Sequence, residues 1–132
     1  MKRALLLLLT ILLTAACSHG RTASFPAAAD PASAGQVAVM RNNNLFGWWF
    51  PVKVTYDDAV IAHIRSGERV VFQTPPGLHT VGVADRGISM AVEPNGKYYF
   101  LISTEDSQAG FEIERLDPRR GEEWVSKTKP IP

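Results

Sequence analysis

From Gln36 onward, short runs rich in Val, Ile, Phe and Tyr are broken every eight to twelve residues by clusters of Gly, Pro, Asn and Asp. That punctuation predicts an all-β sandwich or barrel. Strands are expected near Gln36–Arg41, Pro51–Asp57, Ala59–Ile64, Glu68–Thr74, Leu78–Ala84, Ile88–Glu93, Lys97–Thr104 and Phe111–Leu116. The turns between them carry residues that pre-set or tolerate turn dihedrals: Asp57-Asp58, Ser66-Gly67, Pro75-Pro76-Gly77, Asp85-Arg86-Gly87 and Pro94-Asn95-Gly96. No helical pattern of useful length competes with them.

Alternation assigns the faces. Val52, Val54 and Tyr56 oppose Lys53, Thr55 and Asp57; Ile88, Met90 and Val92 oppose Ser89, Ala91 and Glu93; Phe111 and Ile113 oppose Glu112 and Glu114. Lys97–Ile102 is apolar on both sides, as a central strand is when something covers its second face. The C-terminal segment or a partner is expected over Tyr99 and Leu101. Beyond Leu116, Asp117-Pro118-Arg119-Arg120-Gly121 breaks the sheet. Glu122–Ser126 is expected to form one turn that docks Trp124 and Val125 on the sheet, and Lys127–Pro132 to fray.

Ahead of this domain stands a leader. Met1-Lys2-Arg3 is a positive start, and Ala4–Ala16 is a 13-residue run whose only polar members are Thr10 and Thr14. A spanning helix takes about 20 apolar residues, so the run is read as the core of a cleaved signal peptide, residues 1–16. The boundary Leu13-Thr14-Ala15-Ala16-Cys17 resembles the bacterial lipobox. The resemblance implies that Cys17 is lipidated and becomes the new N-terminus, and Ser18 after it resembles the outer-membrane sorting signal. Two or more acyl chains make such an anchor stable. The expected location is therefore the cell envelope, on the periplasmic face of the outer membrane.

Cleavage leaves 116 residues, and losing Lys2 and Arg3 takes the 14 basic residues to 12 against 13 acidic ones. No basic excess remains to attract nucleic acid. Cys17 is the only cysteine, so no thiol is left for a disulfide, a thiolate metal site or cysteine catalysis. Residues 17–35 form the tether. Ser18–Gly35 contains six alanines, three serines, two prolines, two glycines and two charges, with Phe25 its single large apolar residue. Such a segment is expected to be disordered and to span about 23 Å.

The residues offer little catalytic chemistry. His79 alternates onto the side of Val81 and Val83, where a histidine usually packs with a ring nitrogen on backbone. His63 has no partner at metal-ligand spacing. The acidic pairs Asp57-Asp58, Glu105-Asp106 and Glu122-Glu123 sit in turns or tails and read as solvated charge. Neither a nucleophile elbow nor a phosphate loop is present. No catalytic residue, metal or cofactor is assigned.

The candidate interaction surface is the segment after Asn42-Asn43-Asn44: Phe46, Trp48, Trp49 and Phe50, with Leu45. One strand face cannot bury so many large residues, and a regular strand cannot turn both tryptophans inward. Alternate members plug an end of the sandwich, or the segment meets a protein, or it stacks on sugars or the membrane interface.

Thr74-Pro75-Pro76-Gly77-Leu78-His79-Thr80-Val81-Gly82-Val83 resembles the PPG-x-H-x-V-x-V hairpin of PEGA-like domains. With Arg41 on the first strand, Asp57-Asp58 in the next hairpin and Pro94-Asn95-Gly96-Lys97-Tyr98-Tyr99 following, Val37–Leu116 resembles bacterial lipoproteins with a PEGA-like domain of unknown function. The resemblance implies a single antiparallel β-sandwich of seven to eight strands, PEGA-like or immunoglobulin-like, and brings no activity with it. The expected organisation is a sandwich over residues 36–127 and a tail over 128–132. Its expected role is a non-catalytic protein-interaction or structural module, with an envelope protein as partner. Small-ligand or glycan binding through residues 45–50 is the alternative, ahead of a hydrolytic enzyme.

Overall fold

A computed structural model describes residues 25–27, 30–44, 48–104 and 110–132. Cys17, Phe46 and the Glu105-Asp106 pair lie outside them. The elements are β1 (Gly35–Arg41), β2 (Val52–Tyr56), β3 (Ala59–Ile64), β4 (Glu68–Thr74), β5 (Gly77–Val83), β6 (Arg86–Val92), β7 (Lys97–Thr104), β8 (Phe111–Leu116), α1 (Pro118–Lys127) and β9 (Lys129–Pro130). They make two sheets, ordered β8-β7-β1-β4-β9 and β3-β2-β5-β6. The fold is all-β in two layers.

Three expectations are corrected. The sandwich is not purely antiparallel: β1 runs parallel to β7, with Val39 opposite Phe100, and β4 runs parallel to β9. Alternation sets which side of a strand is apolar and is silent on its neighbour and direction. The described strands number nine rather than seven or eight, because the tail does not fray. Lys129 N–H donates to the Gly67 carbonyl (3.0 Å) and Ile131 N–H to that of Arg69 (3.1 Å), so the sheet extends past residue 127. Finally, the single turn expected at Glu122–Ser126 is a ten-residue helix. Asp117 caps it by accepting from Arg120 N–H, Pro118 sits in its first turn, and Thr128 N–H closes it on the Trp124 carbonyl.

The main core lies between the sheets, where Val37, Val39, Val54, Ala62, Ile64, Val81, Val83, Phe100 and Ile102 are fully buried. A second apolar cluster lies on the other side of the first sheet, where Ala38, Met40, Tyr99, Leu101 and Leu116 meet Trp124 and Val125 of α1. The helix is thus what covers Tyr99 and Leu101. It comes so close that a Cβ at Gly121 would lie 2.1 Å from Tyr99 Cγ.

Candidate functional site

The site begins with a buried cation. Arg41, the last residue of β1, is 1% exposed. Its Nη1 donates to the carbonyls of Phe50 (2.8 Å) and Ile64 (3.3 Å), and its guanidinium carbon lies 5.7 Å from the Phe50 ring centre and 5.1 Å from that of Phe111. Burial draws the guanidinium below its ordinary pKa, and the charge of Glu68 opposes that shift. Arg41 thereby joins β1, β3 and the segment entering β2 under two aromatic rings.

From this post an aromatic chain runs outward. Phe50 meets Phe111 edge-on at 5.9 Å, Trp49 meets Phe50 at 6.0 Å, and Trp48 meets Trp49 at 6.2 Å and 88°. Phe50 is 40% exposed, and the two residues farther out are more so, Trp49 at 63% and Trp48 at 60%. Among the described residues of the segment, Phe50 is the one packed against this end of the sandwich, and both tryptophans stand in solvent.

The Asn42–Asn44 turn that leads into the segment is tied to the β3–β4 turn. Ser66 Oγ accepts from the Asn44 backbone N–H at 3.0 Å, Gly67 N–H donates to the Asn42 carbonyl, and Asn44 Nδ2 donates to Thr104 Oγ1 at 2.8 Å. Gly67 adopts φ +74°, a left-handed conformation that suits glycine.

Trp48 and Trp49 face β9 across a cleft of about 530 Å³, lined also by Arg65, Ser66, Glu68, Lys129, Pro130 and Pro132. Glu68 is 4% exposed and turned inward, accepting from the Arg65 backbone N–H at 2.8 Å. The side-chain charges that face outward are those of Arg65 and Lys129, both positive. Because Lys129 and Ile131 spend their N–H groups on β4, the outward positions of the β9 edge fall to Pro130 and Pro132, which have none. That edge cannot template an added strand, and its prolines offer ring surface instead.

The histidines lie elsewhere. At the opposite end of the sandwich, His79 Nδ1 is 2.6 Å from Asp57 Oδ2 and Nε2 is 2.8 Å from the Pro75 carbonyl, with the ring stacked on Tyr56 at 5.1 Å. Both nitrogens are committed, so neither is left to activate a nucleophile or ligate a metal. Asp57 also accepts from Thr80 N–H, which makes the cluster a clasp between the β2–β3 turn and β5. His63 pairs across the strands with Lys53. Among the described residues no three His, Cys, Asp or Glu side chains gather as metal ligands, and no helix is long and apolar enough to cross a membrane.

The tryptophans were legible in the sequence, and Arg41 entered there only as part of the PEGA-like pattern, whereas the places of Arg65, Lys129 and the two prolines at the cleft were not legible. A basic residue closing an apolar strand just before an aromatic cluster was the available signal for Arg41. Neither a protein-family model nor a curated protein matches the chain. Among solved structures, the N-terminal domain of AlgF from P. aeruginosa is similar at 13% identity and a TM-score of 0.44, over 67% of this chain and 99% of that one. A likeness at that level carries no function across.

Proposed function

We propose that this chain is a lipid-anchored envelope protein whose sandwich is a non-catalytic binding module, and that the Trp48–Trp49 cleft engages an extended acidic segment of another envelope protein. The observation that carries the reading is the presentation of two tryptophans, each more than half exposed, on a segment pinned by a buried arginine. Exposed side chains are normally left free to move. Here Arg41 holds the adjoining Phe50 by backbone and ring, a restraint on the segment that lowers the ordering cost of binding, and tryptophan is enriched among residues that dominate interfaces. The outward charges of Arg65 and Lys129 favour an anionic partner, and the proline edge favours recognition by side chains over strand addition.

The test is photo-crosslinking from position 48 or 49 in intact cells. A reproducible protein adduct that disappears when Arg65→Glu and Lys129→Glu are combined, and survives Lys97→Glu at the far end, supports the reading. No adduct, or one indifferent to the charge reversal, overturns it. The anchor is tested separately by Cys17→Ser, which is expected to release the chain from membranes.

A further inference from the structure

Disorder is expected over Ser18–Gly35, yet among the described residues of that segment Phe25 rests on the sandwich and Gly35 already belongs to β1. The Phe25 ring stacks on Phe72 at 5.7 Å and 16°. With Pro26, Tyr56, Asp57, Ala59 and Ile61 it borders a hollow of about 250 Å³ where β3 faces β4. A second hold lies at the same end, where the Ser33 carbonyl accepts from Asn95 N–H at 3.3 Å and Gln36 N–H donates to the Gly96 carbonyl at 2.8 Å as the chain enters β1.

Strand direction places this end opposite the cleft. β4 starts at Glu68, in the cleft wall, and finishes at Thr74, whose hydroxyl bonds to that of Tyr56 beside Phe25. Six residue steps separate those ends, about 20 Å. Gly77 and Lys97, the first residues of β5 and β7, lie at the Phe25 end, whereas the β5–β6 turn at Ala84–Asp85 lies at the cleft end.

We infer that Phe25 is the seat by which the tether holds the sandwich, and that this seat points the Trp48–Trp49 cleft away from the bilayer, toward a protein standing in the compartment. The inference rests on the lipid-anchored reading proposed above. From Cys17 to Phe25 is eight residue steps, at most about 28 Å when fully stretched. Bringing the cleft to the lipid surface would take most of that length merely to run back along the roughly 20 Å of β4. If Phe25 leaves its seat, the next hold is Ser33, sixteen steps from Cys17 and at most about 56 Å, and either end can then face the membrane. An aromatic ring on a patch of Phe72 and Tyr56 thus selects the orientation without a rigid stalk.

The experiment uses the full lipidated chain in vesicles carrying a headgroup acceptor dye. A donor dye is placed on Lys97→Cys at the tether end or on Asp85→Cys at the cleft end. Flotation with the vesicles, lost in Cys17→Ser, establishes the anchor first. The tether-end donor is expected to lie about 15–20 Å nearer the bilayer than the cleft-end donor, and that gap is expected to collapse in Phe25→Ser, with unchanged flotation. Donors equidistant in the parent chain, a cleft-end donor nearer the lipid, or a gap that survives Phe25→Ser overturns the orientation while leaving the anchor standing. A parent chain that does not float removes the anchor and the orientation with it.

Discussion

Arg41 and Phe50 are joined twice: Nη1 donates to the Phe50 carbonyl at 2.8 Å, and the guanidinium lies 5.7 Å from the centre of the same residue's ring. Backbone and ring are both gripped, so the two tryptophans just before Phe50 inherit a fixed starting point. Replacing Arg41 with Met keeps much of the volume but leaves two carbonyls and buried Glu68 without the cation. Removing one member of a buried charged set costs on the order of 3–5 kcal/mol. The expected result is a lower urea midpoint together with a weakened tryptophan signal in near-ultraviolet circular dichroism. An Arg41→Met protein as stable as the parent would show that the guanidinium is not the post.

Gly121 is where α1 presses closest on the sheet. A Cβ there would lie 2.1 Å from Tyr99 Cγ and 2.5 Å from Cδ2, inside a ring packed between helix and strand. Gly121→Ala gains helix propensity of just under about 1 kcal/mol but must push the helix off Tyr99, and overpacking of this kind costs about 1–3 kcal/mol. The net expectation is destabilisation, with faster hydrogen exchange in α1 and little change in β2 and β3. A more stable Gly121→Ala protein would mean that the helix sits farther out.

The two aspartates of the β2–β3 turn have positive φ, 48° at Asp57 and 66° at Asp58. Only Asp57 has a reason in its side chain, since its carboxylate holds Thr80 N–H and His79. Two-residue hairpin turns of this kind favour Asp-Gly, because glycine adopts positive φ without the cost that L-residues meet. Relief of that left-handed strain, about 1–2 kcal/mol, outweighs the extra backbone entropy a glycine loses on folding, about 0.5–1 kcal/mol. Asp58→Gly is therefore expected to stabilise the domain by up to about 1.5 kcal/mol, the difference between the two effects. Asp57→Gly gains a similar relief but breaks the two hydrogen bonds its carboxylate makes in the clasp, each worth about 1.5–3 kcal/mol, so a net loss of at least about 1 kcal/mol is expected. Opposite signs in urea unfolding are the result to look for.

Two buried tyrosines set an alkaline limit. Burial pushes Tyr56 up to about 12, and burial together with the hydrogen bond to Glu122 pushes Tyr99 up to about 12. An unfolded tyrosine ionises near 10. Below that pH both states hold the proton and stability is flat. Between about 10 and 12 the unfolded chain ionises while the folded one does not, so unfolding gains; above about 12 both ionise and the loss levels off. The expected fall is on the order of 1–3 kcal/mol per tyrosine, read from urea midpoints across that window, and Tyr99→Phe is expected to reduce it.

Strand positions and faces were legible because period-two alternation survives in residues such as Val52, Val54 and Tyr56, all buried. Strand partners were not, since alternation is the same whether β1 lies beside β2 or between β4 and β7. The ten-residue helix was not legible, although Asp117-Pro118 supplies an N-cap followed by proline at the first turn. The same pair also breaks a sheet, and Gly121 argues locally against a helix until Tyr99 is seen to need the space. Lys129-Pro130 reads as a non-strand because proline cannot donate to a ladder, and only an edge position makes it tolerable. At the site, excess apolar residues betrayed Trp48 and Trp49, whereas Arg65 and Lys129 meet there only through the parallel pairing of β4 and β9.

The tryptophans offer a separation of binding from folding. Trp48 and Trp49 are 60% and 63% exposed, whereas Trp124 is packed on the second core with Lys127 over its ring. Iodide, which quenches by collision, is therefore expected to reach the first two and to lose most of its effect when both are replaced by Phe. The Trp48→Ala, Trp49→Ala double variant removes little buried surface, so its stability is expected to stay within about 0.5 kcal/mol per site of the parent. The same variant is expected to lose the crosslinked partner from a neighbouring position such as Pro132, which lines the same cleft. Loss of capture with stability intact would assign the aromatic pair to recognition. If the double variant instead unfolded early while capture per folded molecule was unchanged, the pair would belong to the scaffold, and Phe50 would no longer mark the boundary between the plugged end of the sandwich and its working surface.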